Sequence, residues 1–282
     1  MQQTELTSKQ FDDFSTIIAS RLGIKMPATK RTMLQSRLLR RARELGLEDV
    51  HAYHARFFSD PQEQQDELEH LLNLATTNKT DFFREPDHFE FLAQQALPAW
   101  RARSPSGPFR VWCAGCATGE EAYTLAMVLK EQQVRGSFDF TILATDVSTR
   151  VLERAMAATY DKEHAAPIPL TLRQKYLLRS RDSSAGLVKI APEIRDHVRF
   201  GHLNFLSENY GIRTKFDVIF FRNVMIYFDR DTQQKIVSRM CRLLPVGNWI
   251  FTAHAESLQG LGLPIETIQA AVYVRIKGEP PL

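Results

Sequence analysis

A run of small residues near the middle of the chain stands where an apolar strand pattern gives way to a helical one. Residues 113–119 include Gly115 and Gly119, and the helical pattern begins at Glu120. A backbone without bulky Cβ substituents at such a turn lets a nucleotide-like ligand approach the main chain and the helix N-terminus. Glu120 and Glu121 suit a helix N-terminus but would repel a pyrophosphate. The turn therefore predicts a nucleoside-like ligand that is cationic or neutral.

The next strand pattern ends in an acid. An apolar run over residues 138–146 ends at Asp146, and a helical pattern follows it. An acid at the carboxyl end of the second strand can accept both ribose hydroxyls of an adenosine that lies over the first turn. Capping of the following helix is the alternative role, one that Ser148 could fill equally well. We favour the ribose role, and S-adenosylmethionine, a sulfonium with an ammonium group, fits this pair of features. Taken alone, the glycine turn could equally be a tight connection without a ligand.

Two further segments carry polar side chains where a ligand could lie. Thr80 or Asp81 can cap a helix that carries two phenylalanines and Arg84. Later in the chain a buried strand ends at Asn223 and continues as an apolar loop to Tyr227. Ligands of open α/β sheets bind beyond the carboxyl ends of the strands, so Asn223 and Tyr227 stand at the expected edge.

Composition bounds the class of protein. The 282 residues predict one large or two unequal domains, and 44% hydrophobic with 24% charged residues is ordinary for a soluble protein. No apolar stretch approaches the ~20 residues that span a bilayer, and the N-terminus lacks the pattern of a secretory signal. Three cysteines do not form a disulfide framework, so we expect a cytoplasmic protein without membrane insertion. A net charge of +3 does not by itself indicate nucleic acid.

Cys113 and Cys116 form a C-x-x-C pair, which is typical of redox or zinc sites. Because Cys241 is the only other cysteine, a four-cysteine zinc site is impossible. We interpret the pair as small residues in a tight turn and predict no metal; the redox interpretation is the weaker one.

Periodicity predicts the elements that hold these residues. Helical patterns without strand runs fill the first 75 residues, and from residue 109 strand and helix patterns alternate. Alternation of this kind predicts a largely parallel, Rossmann-like sheet with covering helices. We expect a helical domain over 1–75, a linker with a cofactor-contacting helix over 76–108, and an α/β domain over 109–282. A small antiparallel β-subdomain is expected as an insertion at about 170–200, with short strands at 187–190 and 198–200.

Four motifs together resemble one family. The chain reads T-T-N-x-T-x-F-F-R-E at 76–85, A-T-G-E-E at 117–121, A-T-D at 144–146 and F-R-N-V-M-I-Y-F-D at 221–229. In these motifs, and over nearly its whole length, the chain resembles the chemotaxis receptor methyltransferases of the CheR type, and the first and last motifs seldom occur elsewhere. The resemblance implies a class I methyltransferase fold that esterifies glutamate side chains on the cytoplasmic helices of chemoreceptors, with S-adenosylhomocysteine as the second product.

The resemblance also implies site residues. It assigns Arg84 and Tyr227 to the reacting groups. It assigns the cofactor to a larger set, in which Glu121 lies near the methionine moiety and Asp146 at the ribose: Asn78, Thr80, Arg84, Gly115, Glu121, Asp146, Asn204, Phe205, Asn223 and Val224. The family often has serine and alanine where this chain has Cys113, Gly115 and Cys116, but the residues remain small, so binding is still expected.

A basic helix near the N-terminus indicates a partner surface. At ~100° per residue, Lys30, Arg37 and Arg41 form one stripe with Arg40 beside it. A solvated face or a phosphate-binding surface could look the same. Since the family's receptors are acidic helical bundles, the stripe is interpreted as a receptor-docking surface on a protein expected to be monomeric.

Three alternatives compete with this function. A nucleic-acid methyltransferase would usually carry an N/D/S-P-P-aromatic loop where residues 223–226 lack proline, so no nucleic-acid partner is expected. A non-catalytic module that binds S-adenosylmethionine is the second alternative, and a dehydrogenase is weaker because of the acidic pair. Whether the loop at 180–186 tethers the protein to a receptor peptide stays open.

Overall fold

The computed structural model describes residues 5–103, 105–179 and 186–281. The chain divides into two compact units. The first comprises the residues up to Thr77 together with the short segment Tyr227–Asp229, and the second comprises Asn78–Ile226 and the residues from Arg230 onward. The loop 180–185, which the tether question concerns, lies outside the described residues.

The first unit is all-helical, as predicted. Its helices are α1 (Ser8–Leu22), α2 (Arg31–Glu44), α3 (Val50–Ser59) and α4 (Pro61–Ala75). Local sequence sets their ends: Thr7 forms a capping box with Gln10, and Gly23 ends α1 in the left-handed conformation at φ 68°. An aromatic core of Phe14, Tyr53 and Phe57 fills the centre of the bundle.

The second unit is built on a seven-stranded sheet in the order β6-β2-β1-β7-β8-β10-β9. The first five strands are parallel and β10 pairs antiparallel with both of its neighbours. The strands are β1 (Phe109–Ala114), β2 (Phe140–Asp146), β6 (Val198–His202), β7 (Val218–Phe220), β8 (Trp249–Phe251), β9 (Ile265–Gln269) and β10 (Val272–Arg275). Because β2 and β7 lie on opposite sides of β1, the strand order reverses there, and the crevice beyond these carboxyl ends is where such sheets bind ligands.

The second unit also contains helices. They are α5 (Pro86–Phe91), α6 (Leu97–Ala102), α7 (Glu120–Val134), α8 (Thr149–Ala157), α9 (Leu170–Tyr176), α10 (Pro192–Arg195) and α11 (Arg230–Leu243), with a π-helical turn at Leu92–Ala96 between α5 and α6. Apolar residues of β1, β7 and β8 are buried on both faces, which explains why these strands read as continuous apolar runs. No helix in the described ranges is both long and apolar enough to cross a membrane.

The inserted antiparallel subdomain is confirmed, with one change in its membership. It consists of β3 (Thr159–Asp161), β4 (Leu177–Arg179) and β5 (Leu187–Ile190), in the order β3-β5-β4. The prediction that 198–200 belongs to it was wrong, because β6 pairs parallel with β2 in the main sheet. The length and composition of β6 do not show which strand it pairs with. The strand β3, with three residues, was too short to be recognised in the sequence.

Candidate cofactor and active site

The glycine turn after β1 is folded onto the end of β2. The backbone N–H groups of Gly115 and Cys116 donate to the carbonyl of Thr145 at 2.8 and 2.9 Å. The next N–H, of Ala117, donates to the Asp146 carboxylate at 2.9 Å. The predicted turn and the predicted acid therefore form one structure at the carboxyl edge of the sheet.

Gly115 is required at this turn for two independent reasons. Its φ of 89° lies in the left-handed region, and a Cβ added there would overlap Cγ2 of Val224. The close approach brings two residues predicted to bind the cofactor together, one from the turn after β1 and one from the loop after β7.

The two acids at the start of α7 have different environments. Glu120 is buried, accepts the Thr118 hydroxyl at 2.7 and 2.8 Å, and lies 2.6 Å from Nε2 of His164. Glu121 keeps 14% of its side chain exposed. Of the pair, Glu121 is therefore the one whose carboxylate can meet a cationic ligand.

Glu121 has a partner on each oxygen. Its Oε1 accepts from the Cys113 thiol at 3.4 Å, and its Oε2 lies 3.0 Å from Nε of Arg222. The Nε–H bond does not point at this oxygen well enough for a hydrogen bond, so the second contact is an ion pair. The C-x-x-C pair is thus no redox couple of exposed thiols: Cys113 and Cys116 are free and buried.

Arg222 is the functional residue that sequence reasoning missed. Its side chain is 1% exposed, and it joins Glu121 to the segment before α5. Nη2 donates to the carbonyl of Arg84 at 2.5 Å and lies 3.7 Å from the Glu85 carboxylate. Nη1 lies 3.2 Å from Nδ1 of His88. A single arginine at the end of an otherwise apolar strand was the available signal, since such a buried charge requires several partners.

His88 is the neutral partner in this cluster. Burial, helped by the nearby Arg222 charge, lowers the pKa of His88 to about 4. Because an arginine can only donate, Nδ1 of His88 accepts and Nε2 carries the proton. Glu85, His88 and His254 are close enough to resemble a metal site. The Arg222 guanidinium occupies the lone pair of His88 and stands beside Glu85, so these residues fit an ion-pair network better than a cation site.

Asp146 is the last residue of β2, and its carboxylate holds the turn after β1 in place. Its two oxygens accept from the N–H of Ala117 and of Ser148, each at 2.9 Å. Burial raises the pKa of Asp146, while these backbone bonds oppose the rise. Ser148 caps α8 through Val151, so the alternative role for the acid is filled by its neighbour. A carboxylate has about four lone-pair positions, which leaves acceptor capacity for hydroxyls.

The loop after β7 is held by a second residue that the sequence did not reveal. Glu256, 6% exposed, accepts from the N–H groups of Asn223 at 2.9 Å, Ala253 at 3.0 Å and Ile226 at 3.3 Å. Asn223 itself is left-handed, with φ 60°. The Glu256 carboxylate thus replaces the missing backbone partners of the loop that carries Asn223 and Val224.

The loop after β6 carries Asn204 and the buried aromatic residue Phe205. Asn204 turns the chain by accepting the N–H of Leu206 at 2.9 Å, and Leu203 donates to the Asp146 carbonyl at 2.9 Å. Phe205 is buried beside Phe221, with ring centroids 5.2 Å apart. Phe205 thus adds a buried aromatic ring to the loop in which the sequence predicts two cofactor contacts.

The segment before α5 corrects one prediction. Neither Thr80 nor Asp81 caps a helix; α5 begins at Pro86 with Glu85 as its N-cap. Phe83 and Glu85 both have φ 55°, so the residues around Arg84 form a left-handed turn. The Phe83 N–H donates to the Thr124 hydroxyl of α7 at 3.2 Å, and this tertiary bond replaces the helix that the capping pattern indicated. Asn78 and Thr80 lie half-buried in the same segment.

Tyr227 lies among residues of the helical unit. Its hydroxyl is 3.4 Å from the carbonyl of Thr77, its carbonyl accepts from Lys25 at 3.2 Å, and Lys30 Nζ stands 5.1 Å from its ring. Lys30, predicted to dock a receptor, therefore contacts the tyrosine predicted to act at the reacting groups. Burial lowers the pKa of Lys30.

The basic stripe is less uniform than the helical wheel suggests. Arg37 donates to the carbonyls of Leu74 and Thr76 at 2.5 and 2.7 Å. Arg41 makes a two-bond contact with Glu67 at 2.7 and 3.0 Å. Arg40, in contrast, is exposed. Two of the four predicted docking residues thus contribute to the stability of the helical unit.

A glycine turn after β1, an acid at the end of β2 and the antiparallel β10 between β8 and the edge strand β9 together define an S-adenosylmethionine-dependent methyltransferase. Family models agree: the S-adenosylmethionine-binding domain of CheR methyltransferases matches residues 78–274, and the CheR all-alpha domain matches residues 9–76. The chain belongs to the CheR methyltransferase family.

Curated relatives match over most of their length. A chemotaxis protein methyltransferase of Klebsiella aerogenes is 38% identical over 91% of this chain and 86% of its own. The Escherichia coli protein of that name is 38% identical over 93% and 90%, and the Salmonella typhimurium one 35% over 92% and 88%. The predicted family, fold class and cofactor are confirmed.

Proposed function

We propose that this protein transfers the methyl group of S-adenosylmethionine to glutamate side chains on the cytoplasmic helices of chemoreceptors, forming glutamate methyl esters. Relatives named chemotaxis protein methyltransferases support the biological setting. The observation that carries the proposal is the cluster around Arg222, which connects Glu121 to the turn of Arg84. A carboxylate suited to a cationic cofactor is thereby linked to an arginine suited to a carboxylate substrate.

The reaction needs little acid–base catalysis. A glutamate carboxylate with an unperturbed pKa of ~4.3 is already a nucleophile at neutral pH. One of its oxygens attacks the methyl carbon, the carbon–sulfur bond breaks, and its electron pair stays on sulfur as the neutral thioether of S-adenosylhomocysteine. Charge is neutralised as the reaction proceeds, and no proton moves. The main contributions expected of the protein are in-line positioning and exclusion of water.

The site residues of the proposal divide by the part of the cofactor that they meet. Glu121 meets the ammonium group, Asp146 the ribose, and Asn204 with Phe205 the adenine. Arg84 holds one oxygen of the acceptor carboxylate while the other attacks, since a guanidinium matches carboxylate geometry. For Tyr227, a role at the reacting groups is proposed on the family resemblance alone.

Methyl transfer to purified receptor cytoplasmic fragments tests the proposal. With S-adenosylmethionine labelled in the methyl group, we expect label on the fragment that mild base releases as methanol, because an ester hydrolyses and an amide- or amine-linked methyl does not. Base-stable label would indicate another acceptor chemistry. Cofactor binding without any label on the receptor would support the non-catalytic module instead.

A further inference from the structure

We propose that Cys113 and Arg222 are positioning residues that fix the Glu121 carboxylate for the amino-acid end of S-adenosylmethionine. The inference rests on the proposed place of Glu121 at the ammonium group. It assigns a role to the buried Cys113 thiol and a further role to the Arg222 guanidinium, which also holds the turn of Arg84.

The two partners, Cys113 and Arg222, contact Glu121 from β1 and from the residues directly after β7. Cys113 lies in β1 and contacts Oε1 at 3.4 Å; Arg222 follows β7 and lies 3.0 Å from Oε2. β1 and β7 pair directly in the sheet, with Cys113 opposite Phe220. Both oxygens therefore contact buried groups, one in β1 and one directly after the neighbouring strand β7.

The Glu121 carboxylate is more exposed to solvent than its two partners. Glu121 keeps 14% of its side chain accessible, whereas Arg222 keeps 1% and Cys113 none. A ligand can reach the carboxylate but not the groups behind it. The two partners therefore act through Glu121 and are positioning residues.

The thiol is suited to donate. Burial, with Glu121 nearby, raises the pKa of Cys113 well above its usual range, so the sulfur keeps its proton. Two of the roughly four lone-pair positions on the Glu121 carboxylate then face the protein, and the others stay available to an ammonium group. Holding a flexible side chain in place before the ligand arrives removes an ordering cost from binding.

Comparison of two ligands isolates this role. S-adenosylhomocysteine carries the amino-acid end, and 5′-methylthioadenosine is the same thioether nucleoside without it. Both affinities are measured by titration calorimetry for the wild type, Cys113→Ala, Cys113→Ser, Arg222→Lys and Glu121→Gln. Cys241→Ala is the matched control, because Cys241 is equally buried but lies in α11.

We expect Cys113→Ala to weaken S-adenosylhomocysteine by about 3- to 10-fold, the worth of one modest hydrogen bond, with little change for methylthioadenosine. Cys113→Ser should restore the affinity because a hydroxyl also donates. Arg222→Lys should act in the same direction, and its melting temperature shows whether the variant is folded. Cys241→Ala should leave both affinities unchanged.

The outcomes distinguish the inference from the function on which it rests. Equal weakening of both ligands by Cys113→Ala, or no weakening, overturns the positioning role. If Glu121→Gln itself weakens both ligands equally, the place of Glu121 at the ammonium group is wrong as well. Calorimetry needs no methyl acceptor, so a failure of receptor methylation would leave these results interpretable.

Discussion

Arg84 combines a fixed backbone with an accessible side chain. Its carbonyl is held by Arg222, while its guanidinium lies 3.4 Å from the carbonyl of Lys79 at the surface of the turn. We predict that Arg84→Ala lowers kcat for receptor methylation by about 10- to 100-fold, the worth of a charge-assisted hydrogen bond, and retains part of the cofactor affinity. Steady-state methylation and calorimetric titration measure the two effects.

Arg84→Lys is the informative control for that variant. Lysine keeps the charge but loses the two-pronged geometry, so its turnover should lie between those of the wild type and the alanine variant. Near-normal turnover in Arg84→Ala would remove this residue from the mechanism.

Because of His88, we predict that the free energy of unfolding falls in acid. Its pKa is lowered to about 4 in the folded state, against ~6.5 when unfolded. Between pH 6.5 and about pH 4, His88 is protonated in the unfolded chain but stays neutral in the folded protein. The free energy of unfolding therefore falls as the pH drops through this range. The loss reaches up to about 3 kcal/mol.

Urea unfolding of the wild type and His88→Gln at several pH values measures this loss of stability in acid. A glutamine carbonyl can still accept from Arg222 but does not titrate, so the variant should lose less stability between pH 6.5 and 4. Parallel curves for the two proteins would show that His88 is not the titrating group.

Residues that act locally were predictable, and residues that act across the fold were not. Gly115, Glu121 and Asp146 stand in turns whose chemistry follows from neighbouring sequence. Glu256 holds Asn223 from 33 residues away, and nothing near it in the sequence marks it as a loop anchor. Arg222 has partners in two separate segments, residues 84–88 and the start of α7, which only the folded chain brings together.

At the scale of elements, the turn after β1 depends on a glycine. Gly115→Ala should lower the unfolding free energy by about 2–4 kcal/mol, because it adds left-handed strain to an overlap with Val224. Gly211→Ala is the matched control: Gly211 has φ 67° but nothing lies within 4 Å of an added Cβ, so only strain of ~1 kcal/mol remains.

Chemical denaturation and cofactor titration of both variants give the comparison. We expect Gly115→Ala to lose cofactor affinity as well, since Val224 must move. Equal destabilisation by the two substitutions would show that the close approach to Val224 is unimportant.

The periodicity of the sequence predicted which segments are helices or strands, but not which strands pair with one another. The apolar runs at 109–114 and 140–146 predicted β1 and β2 because most residues of both strands are buried. The strand at 198–202 has the same apolar character as a subdomain strand, and only its register against β2 assigns it to the main sheet. The capping pattern at Thr80 failed because the hydrogen bond that the Phe83 N–H donates to the Thr124 hydroxyl stabilises a different turn.

At the scale of the whole molecule, the helical unit provides the proposed docking surface. Arg37 and Arg41 already bind carbonyl and carboxylate groups of that unit, so reversing their charge would destabilise it. Arg40→Glu is the cleaner test because Arg40 is exposed. We predict a raised KM for receptor fragments, weaker salt dependence and unchanged cofactor affinity.

Arg213→Glu makes the same charge change at an exposed position of the second unit and should leave the KM for receptor fragments unchanged. If both variants raise the KM equally, the effect is one of net charge. If neither does, the basic helix is a solvated face.

Mapping the product shows whether the protein methylates glutamate carboxylates. Receptor fragments treated with the protein and S-adenosylmethionine are digested and sequenced by tandem mass spectrometry, with and without mild base. We expect single methyl additions on glutamate side chains that disappear with base and are absent without the protein. Methyl groups on any other residue type, or additions that survive base, would contradict it.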